Sequence, residues 1–89
     1  MNVLFTDNGW ADYLFWEGND KRVRNRINQL LKDIARNGPL SGLGKPEPLA
    51  GNLKGCCSRR IDEANRLVYK VSGDGIIVVL SCRYHYSDY

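Results

Sequence analysis

Polar side chains suited to phosphodiester chemistry are spread along the second half of the sequence. Glu47 could serve as a base, and His85, the single histidine, titrates near neutral pH and could protonate a leaving group. An arginine can hold two phosphate oxygens at once, and Arg66 and Arg83 lie in the same half of the chain. Together these residue types predict a phosphodiesterase site that uses no metal, because no cluster of carboxylates or histidines at metal-ligand spacing occurs.

The segment 45–48, Lys-Pro-Glu-Pro, is the most constrained part of the central loop. Lys45 and Glu47 each precede a proline, which disfavours the α region and favours an extended backbone. Side chains two residues apart on an extended chain point the same way, so the ammonium and the carboxylate are predicted to project together. The alternative is a rigid exposed loop with a surface ion pair.

Two adjacent arginines, Arg59 and Arg60, fall on a predicted strand and must therefore face opposite sides of the sheet. At most one of them can share a face with the predicted site, while Arg66 begins the next strand and could point to that face. For each arginine the alternative is a charged strand end that protects the sheet from aggregation.

The end of the last predicted strand carries the remaining candidates. If that strand stays regular, period-2 alternation puts Arg83 and His85 on one face of the sheet. Tyr84 and Tyr86 then lie on the other. A lone histidine is usually structural or merely exposed, so that alternative stands beside a catalytic His85.

Two helices are predicted to precede these strands. Val3 to Phe5 is a short strand, followed by a capping cluster and a first helix that residues 17–20 break. Asp20 is the predicted N-cap of the second helix, which ends at Gly38-Pro39. Its apolar stripe consists of Val23, Ile27, Leu30, Leu31 and Ile34.

Strand signals dominate after a loop or irregular edge at residues 42–51. Strands are predicted at Ser58–Asp62, Arg66–Val71 and Ile76–Tyr84 or beyond. The last is apolar on both faces from Ile76 to Leu80, which places it in the middle of a sheet. The order β-α-α-β-β-β predicts an α+β fold in which two N-terminal helices pack on one face of a mainly antiparallel, twisted sheet.

Length and composition predict one folded domain, residues 1–89. Lys and Arg exceed Asp and Glu by 13 to 10, which gives a net charge of +3 and permits an anionic partner without requiring one. The basic cluster at residues 21–26 fits either a solvated surface or a binding surface. Three cysteines form neither a disulfide framework nor a metal motif, and no secretion signal or membrane span is recognised, so a cytoplasmic location is expected.

Several separated motifs are similar to those of one known family. In chain order they are Tyr13-Leu14 with Trp16, Asp20-Lys21-Arg22, Ile27-Asn28, Gly44-Lys45-Pro46-Glu47-Pro48-Leu49, Ser58-Arg59-Arg60-Ile61, Arg66-Leu67-Val68-Tyr69 and Cys82-Arg83-Tyr84-His85-Tyr86. From about Leu4 to Tyr86 the chain resembles the YoeB/Txe toxins, which belong to the RelE superfamily of bacterial toxin-antitoxin systems. The resemblance implies a RelE-like fold.

The resemblance also implies a ribosome-dependent endoribonuclease that cleaves messenger RNA in the A site and needs no cofactor. Its implied partners are a cognate YefM-like antitoxin that holds it inactive, the 70S ribosome, mRNA and a second copy in a homodimer. Glu47 matches the general base that acts on the ribose 2′-hydroxyl, and Arg66 matches the arginine that stabilises the pentavalent phosphate. His85 matches the general acid for the 5′-oxygen, and Tyr86 would position or stack on the RNA.

Further basic residues are predicted to bind RNA: Lys45, Lys54, Arg59, Arg60 and Arg83. After Leu49 the family often has basic or polar residues where this chain has Ala50-Gly51, so part of the phosphate-binding charge is either missing or supplied by Lys54. The same departure leaves an alternative function open, a catalytically weak ribosome- or RNA-binding module that blocks translation by occupancy.

Overall fold

The computed structural model describes residues 1–84, which form two α-helices and five strands. Their order is β1 (Val3–Phe5), α1 (Asp7–Asn19), α2 (Lys21–Asn37), β2 (Glu47–Pro48), β3 (Cys57–Arg60), β4 (Arg66–Val71) and β5 (Ile77–Ser81). One 3-10 turn, Gly51–Leu53, lies between β2 and β3. His85 and Tyr86, for which catalytic roles are predicted, lie outside the described residues.

One sheet contains all the strands described, in the order β1-β5-β4-β3-β2. β1 pairs with β5 in parallel, and the other neighbouring pairs are antiparallel. This confirms the predicted α+β fold, the mainly antiparallel sheet and the interior position of the last strand. The two-residue strand β2 forms an edge of the sheet inside the segment that was predicted as a loop or an irregular edge.

Side-chain caps set the starts of both helices. Thr6 Oγ1 accepts a hydrogen bond from the first turn of α1, and Asp20 Oδ1 accepts one from the first turn of α2, each at 3.0 Å. Asp20 is therefore confirmed as the N-cap of the second helix. The break predicted at residues 17–20 is wrong in its position, because α1 continues through Asn19. The helix tolerates Gly18 because it lies exposed in the last turn, where a glycine costs only about 1 kcal/mol relative to alanine.

The apolar stripe of α2 forms one side of the core. Ile27, Leu30, Leu31 and Ile34 are buried as predicted, and they pack against sheet residues that include Leu67, Tyr69, Ile77 and Val79. Complete burial of an aliphatic side chain contributes about 1.5–3 kcal/mol, so this stripe is the main attachment of α2 to the sheet. Neither helix in residues 1–84 combines the length and the apolar character that a membrane crossing requires.

The sheet face that points away from the helices, called the open face below, carries a second and smaller apolar cluster. Leu49, Cys56 and Val68 are buried there, with Leu53 and Leu80 packed against them. Leu53 belongs to the 3-10 turn, so this turn covers part of the open face and leaves the rest uncovered.

β5 ends at Ser81, before the predicted Tyr84. Two side chains of α1 bind the backbone groups that a longer strand would pair: the Cys82 N–H donates to Asp12 Oδ2 at 3.0 Å, and Trp16 Nε1 donates to the Cys82 carbonyl at 2.8 Å. Tyr84 then adopts a φ of 65°, in the left-handed region. The regular alternation predicted beyond Ser81 is therefore wrong for residues 82–84.

β3 also ends earlier than predicted, at Arg60 rather than at Asp62. The Asp62 carboxylate accepts hydrogen bonds from the backbone N–H groups of Ala64 (2.9 Å) and Asn65 (2.7 Å). Such a side-chain bond to the backbone two and three residues on stabilises a turn, and it removes this segment from the strand.

Candidate functional site

The open face brings together several residues that are far apart in the sequence and were each predicted to belong to the site. Alternate residues of β3 and β4 point to it, with Arg60 opposite Arg66 and Ser58 opposite Val68. β2 adds Glu47 opposite Ser58. Glu47 therefore continues the row formed by Ser58 and Val68, and the two arginines form the adjacent row.

The separation of Glu47 and Arg66 suits a phosphodiester. The two residues are two strands and one row apart, so their Cα atoms are about 12 Å apart if strands are about 4.8 Å apart and same-face residues about 6.7 Å apart. Both side chains are long and start from the same face. They can therefore approach a phosphate group from two sides.

Arg60 and Arg66 form a cation pair across β3 and β4. Like charges directly opposite each other on one face are destabilising, so an anion bound between them would relieve the repulsion. Arg66 Nη1 donates to the carbonyls of Asp62 (2.7 Å), Glu63 (3.2 Å) and Asn65 (3.1 Å), which holds the guanidinium at the turn. Among residues 1–84, Nε and Nη2 of Arg66 have no hydrogen-bond partner. This edge of the guanidinium has the geometry that grips two phosphate oxygens.

Arg59 does not belong to this site. Its side chain is on the helix side of the sheet with 0% exposure, and all five N–H groups are used internally. The acceptors are Tyr69 Oη (3.0 Å), Asp33 Oδ2 (2.5 Å) and the carbonyls of Leu43 (2.9 Å), Gly38 (2.8 Å) and Ser41 (2.7 Å). The prediction that Arg59 contacts RNA is therefore wrong, because strand alternation buries it and leaves Arg60 as the exposed member of the pair.

The buried Arg59 instead fixes the loop that leads to Glu47. Asp33 Oδ2 accepts hydrogen bonds from Arg59 and from the Leu43 N–H (2.9 Å). The Leu43 hydrogen bond, and after it the bond from Arg59, lowers the pKa of Asp33. The Gly44 carbonyl then accepts from the Arg60 N–H at 2.7 Å, so the loop is attached to β3 immediately before the proline-rich segment.

The two lysines predicted to bind RNA are both exposed. The extended backbone predicted at Lys45 is wrong, since its φ is 51° and the preceding Gly44 has a φ of 81°. The chain must turn there because Gly44 is attached to β3 while Glu47, three residues later, pairs with Ser58. Lys54 lies at the end of the 3-10 turn, where its N–H donates to the Gly51 carbonyl at 3.1 Å.

The described C-terminal residues run back to the arginine pair. The Arg66 N–H donates to the Tyr84 carbonyl at 2.9 Å, and the Tyr84 N–H donates to Asn65 Oδ1 at 2.6 Å. Arg83 lies over two aromatic rings. Its guanidinium carbon is 3.5 Å from the ring centroid of Phe15 and 4.6 Å from the ring centroid of Tyr84. The residue before His85 is thus attached to the first residue of β4.

Sequence reasoning missed the residues that position this segment. Asn65 connects the β3–β4 turn to Tyr84, and Asp12 and Trp16 connect α1 to Cys82. Burial raises the pKa of Asp12, although the Cys82 N–H and the charge of Arg83 oppose this shift. An asparagine in a turn is an ordinary signal for a turn, so nothing in the sequence marked Asn65 as a link to the chain end.

Cys57 and Cys82 offer no nucleophile in this site. Burial, and after it the charge of Asp12, raises the pKa of Cys82 to about 12, and burial also raises the pKa of Cys57. A thiol with a raised pKa is a poor nucleophile at neutral pH. Within residues 1–84 there is no group of three or more His, Cys, Asp or Glu side chains that could hold a metal ion.

The arrangement of two helices on this five-stranded sheet is the fold of RelE-like toxins. A heterotetrameric YoeB-YefM toxin-antitoxin complex from Staphylococcus aureus contains a chain that matches with a TM-score of 0.90 and 48% identity, over 97% of this chain and 98% of that one. A YoeB dimer from the same organism matches with a TM-score of 0.90 and 49% identity, again over 97% and 98% of the two chains.

Sequence comparison assigns the family. Residues 5–86 match the family described as the YoeB-like toxin of bacterial type II toxin-antitoxin systems. Toxin YoeB from Streptomyces coelicolor is 52% identical over 86 residues, which cover 97% of this chain and the whole of that relative. The chain belongs to the YoeB family of type II toxins, and the resemblance predicted from its motifs is confirmed.

Proposed function

We propose that this toxin is a ribosome-dependent endoribonuclease that cleaves messenger RNA in the A site and thereby inhibits translation. The observation that carries the proposal is the shared position of Glu47, Arg60 and Arg66 on the open face, with one edge of the Arg66 guanidinium unpaired among residues 1–84. A base and a phosphate-binding fork on one surface are the groups that 2′-hydroxyl attack requires.

In the proposed reaction Glu47 removes the proton of the ribose 2′-hydroxyl, and the resulting oxygen attacks the adjacent phosphorus. Arg66 stabilises the charge on the pentavalent phosphate, assisted by Arg60. His85 donates a proton to the departing 5′-oxygen, and Tyr86 positions the RNA. The products are a 2′,3′-cyclic phosphate and a 5′-hydroxyl. The inclusion of His85 and Tyr86 is supported by the hydrogen bond between their sequence neighbour Tyr84 and Arg66.

Lys45, Lys54, Arg60 and Arg83 are the proposed RNA contacts, and no cofactor takes part. The 70S ribosome and its mRNA are the proposed target, which sets the site of action in the cytoplasm. Because relatives form a YoeB-YefM complex and a YoeB dimer, a YefM-like antitoxin and a second copy of this chain are the proposed protein partners.

End-group analysis on ribosomes that carry a defined mRNA tests the reaction. The parent protein should leave a 5′-hydroxyl and a cyclic or 3′-phosphate, and a 2′-deoxy substitution at the attacking ribose should abolish cleavage at that bond. A product with a 5′-phosphate would contradict the 2′-hydroxyl mechanism. Translation blocked with the mRNA intact would instead show the alternative function, inhibition by occupancy.

A further inference from the structure

A cleft of about 190 Å³ opens on the same sheet face as Glu47 and the arginine pair, and none of the proposed roles uses it. Leu53, Val68 and Leu80 supply its apolar lining, while Asn8 and Ser81 supply polar groups. Val68 follows Arg66 by two residues on β4, so the cleft begins about 7 Å from the row formed by Arg60 and Arg66.

A β-bulge creates one wall of this cleft. Val68 pairs with Ser81 but the next residue, Tyr69, pairs with Val79, so Leu80 is an extra residue without a partner in the register. Bulges re-aim side chains and are enriched beside active sites. Here the bulge places Leu80 in the small apolar cluster of the open face, to which Leu53 of the 3-10 turn also belongs.

Asn8 lies at the cleft because α1 approaches β5 closely. A Cβ at Gly9 would lie 2.4 Å from the Val79 carbonyl oxygen, a distance that only glycine permits. Asn8 Nδ2 donates one hydrogen bond to the Leu80 carbonyl at 3.3 Å, which orients the amide. Among residues 1–84, its Oδ1 and its second N–H have no partner, so one acceptor and one donor remain available at the cleft.

The geometry points to a nucleobase site in this cleft, which takes the base of a nucleotide flanking the cleaved phosphodiester. The inference rests on the proposed function and adds to it the part of the substrate that the phosphate-binding residues do not recognise. The flat faces of a base are apolar and suit aliphatic walls, whereas its edge carries donors and acceptors that suit an amide. An aliphatic side chain of a protein partner would fill the walls but leave the Asn8 amide unused.

Filling the cleft is the first test. Leu80→Phe should lower kcat/KM for cleavage on programmed ribosomes about 10- to 100-fold, the range expected when a pocket contact is lost. Val78→Phe is the matched control, since Val78 lies two residues away on the same strand and does not line the cleft. Thermal unfolding of both variants verifies that they are folded. Cleavage by Leu80→Phe at the rate of Val78→Phe would overturn the inference.

Base discrimination is the second measurement. The cleavage rates of mRNAs that differ only at the nucleotides on either side of the cleaved bond are compared. At one of these positions, Asn8→Ala should reduce the differences in cleavage rate among the four bases. Asn8→Asp, which offers acceptors only, should change the ranking of the four bases instead. A ranking that stays the same in both variants would contradict a role for Asn8.

Direct binding separates this inference from the proposed function. A 2′-O-methyl RNA trinucleotide cannot be cleaved, and its addition should shift the methyl NMR signals of Leu53, Val68 and Leu80 in the parent protein. These shifts should occur even if the protein proves not to be a nuclease. Absence of shifts at all three residues would overturn the nucleobase site. So would a Leu80→Phe protein that cleaves normally but has lost antitoxin binding, because the cleft would then serve a peptide.

Discussion

Arg66 divides its hydrogen-bonding edges between the fold and the proposed substrate. Nη1 is bound to three backbone carbonyls of the turn before β4, and this fixes the direction of the guanidinium. The Nε–Nη2 edge would then bind an anion with little rotamer entropy left to lose. A preorganised cation of this kind acts on a transition state more effectively than a mobile lysine at the same position.

Replacing Arg66 by lysine should therefore slow cleavage even though the charge is kept. We expect Arg66→Lys to lower the single-turnover rate about tenfold or more, because a charge-assisted hydrogen bond contributes about 1.5–3 kcal/mol and the two-pronged grip is lost. Arg22→Lys, on the exposed surface of α2, is the matched control. Equal rates for the two variants would remove the bidentate phosphate contact from the mechanism.

His85 gives a second prediction about single residues. His85→Gln keeps a hydrogen-bonding group but removes the titrating proton, so the single-turnover rate on ribosome-bound mRNA should fall about 10²- to 10⁴-fold while affinity changes little. The measurement is a rate and affinity series against the parent chain. A loss of threefold or less, well below about 10²-fold, would show that the proton comes from elsewhere, for example from the ribosome.

At the scale of elements, Arg59 of β3 holds the loop between α2 and β2 in place. One buried guanidinium bonds to Asp33 on α2, to Tyr69 on β4 and to three loop carbonyls. The loop lacks an apolar core of its own, so these hydrogen bonds replace packing. Glu47 follows this loop directly, and its position depends on a residue that never contacts the proposed substrate.

Removal of the buried guanidinium should destabilise the fold strongly. Arg59→Met leaves Asp33 without its cation and several carbonyls without donors, and we expect a loss of about 3–5 kcal/mol in the free energy of unfolding. Arg60→Met, the exposed neighbour on the same strand, should change stability by less than about 0.5 kcal/mol. Urea denaturation of both variants measures the difference, and similar midpoints would contradict the role assigned to Arg59.

The same network predicts acid sensitivity. The pKa of Asp33 is lowered in the folded protein, so its ionised form stabilises the fold fully above its unfolded pKa of about 3.9. This stabilisation is lost as the pH falls through the lower, folded pKa. Urea midpoints between pH 6 and pH 3 should therefore decline less steeply in Asp33→Asn than in the parent. Equal slopes for the parent and Asp33→Asn would contradict a stabilising role for the Asp33 carboxylate.

Local patterns predicted the two helices, every described strand except β2 and the interior position of β5, since apolar periodicity and caps act within a few residues of sequence. They failed where a contact distant in the sequence decides the backbone. β5 ends at Ser81 because Asp12 and Trp16 bind Cys82, and the chain turns at Lys45 because Gly44 is attached to β3. For Arg59 and Arg60, alternation showed that the two differ but not which one is buried, since that requires the position of α2.

At the scale of the whole molecule, the net charge is only +3, but basic side chains are concentrated on two surfaces. The open face carries Arg60 and Arg66, and the outer surface of α2 carries Lys21, Arg22, Lys32 and Arg36. Arg24 is less available because it forms an ion pair with Glu17. An acidic antitoxin segment that mimics phosphate would bind at the open face.

The antitoxin complex should therefore weaken as salt is added. The Debye length, over which charges attract each other, falls to about 8 Å at 0.15 M ionic strength. Titration of an acidic antitoxin into this protein between 0.05 and 0.5 M NaCl measures the effect. Arg60→Gln should reduce both the affinity and its salt dependence, whereas Arg22→Gln should leave both nearly unchanged. Salt-independent binding, or equal effects of the two variants, would show that the antitoxin does not occupy the arginine pair.

The parallel pairing of β1 with β5 also determines when the open face is completed during synthesis of the chain. Thr6 bonds to Val79 across 73 residues of sequence, so the sheet stays incomplete until the last described strand has been made. Contacts this distant form late, because the intervening chain must be closed into a loop first. A nascent chain that ends before β5 therefore lacks the finished open face. Under the proposed function, the ribosome that makes this toxin is protected from it by topology until β5 has been made.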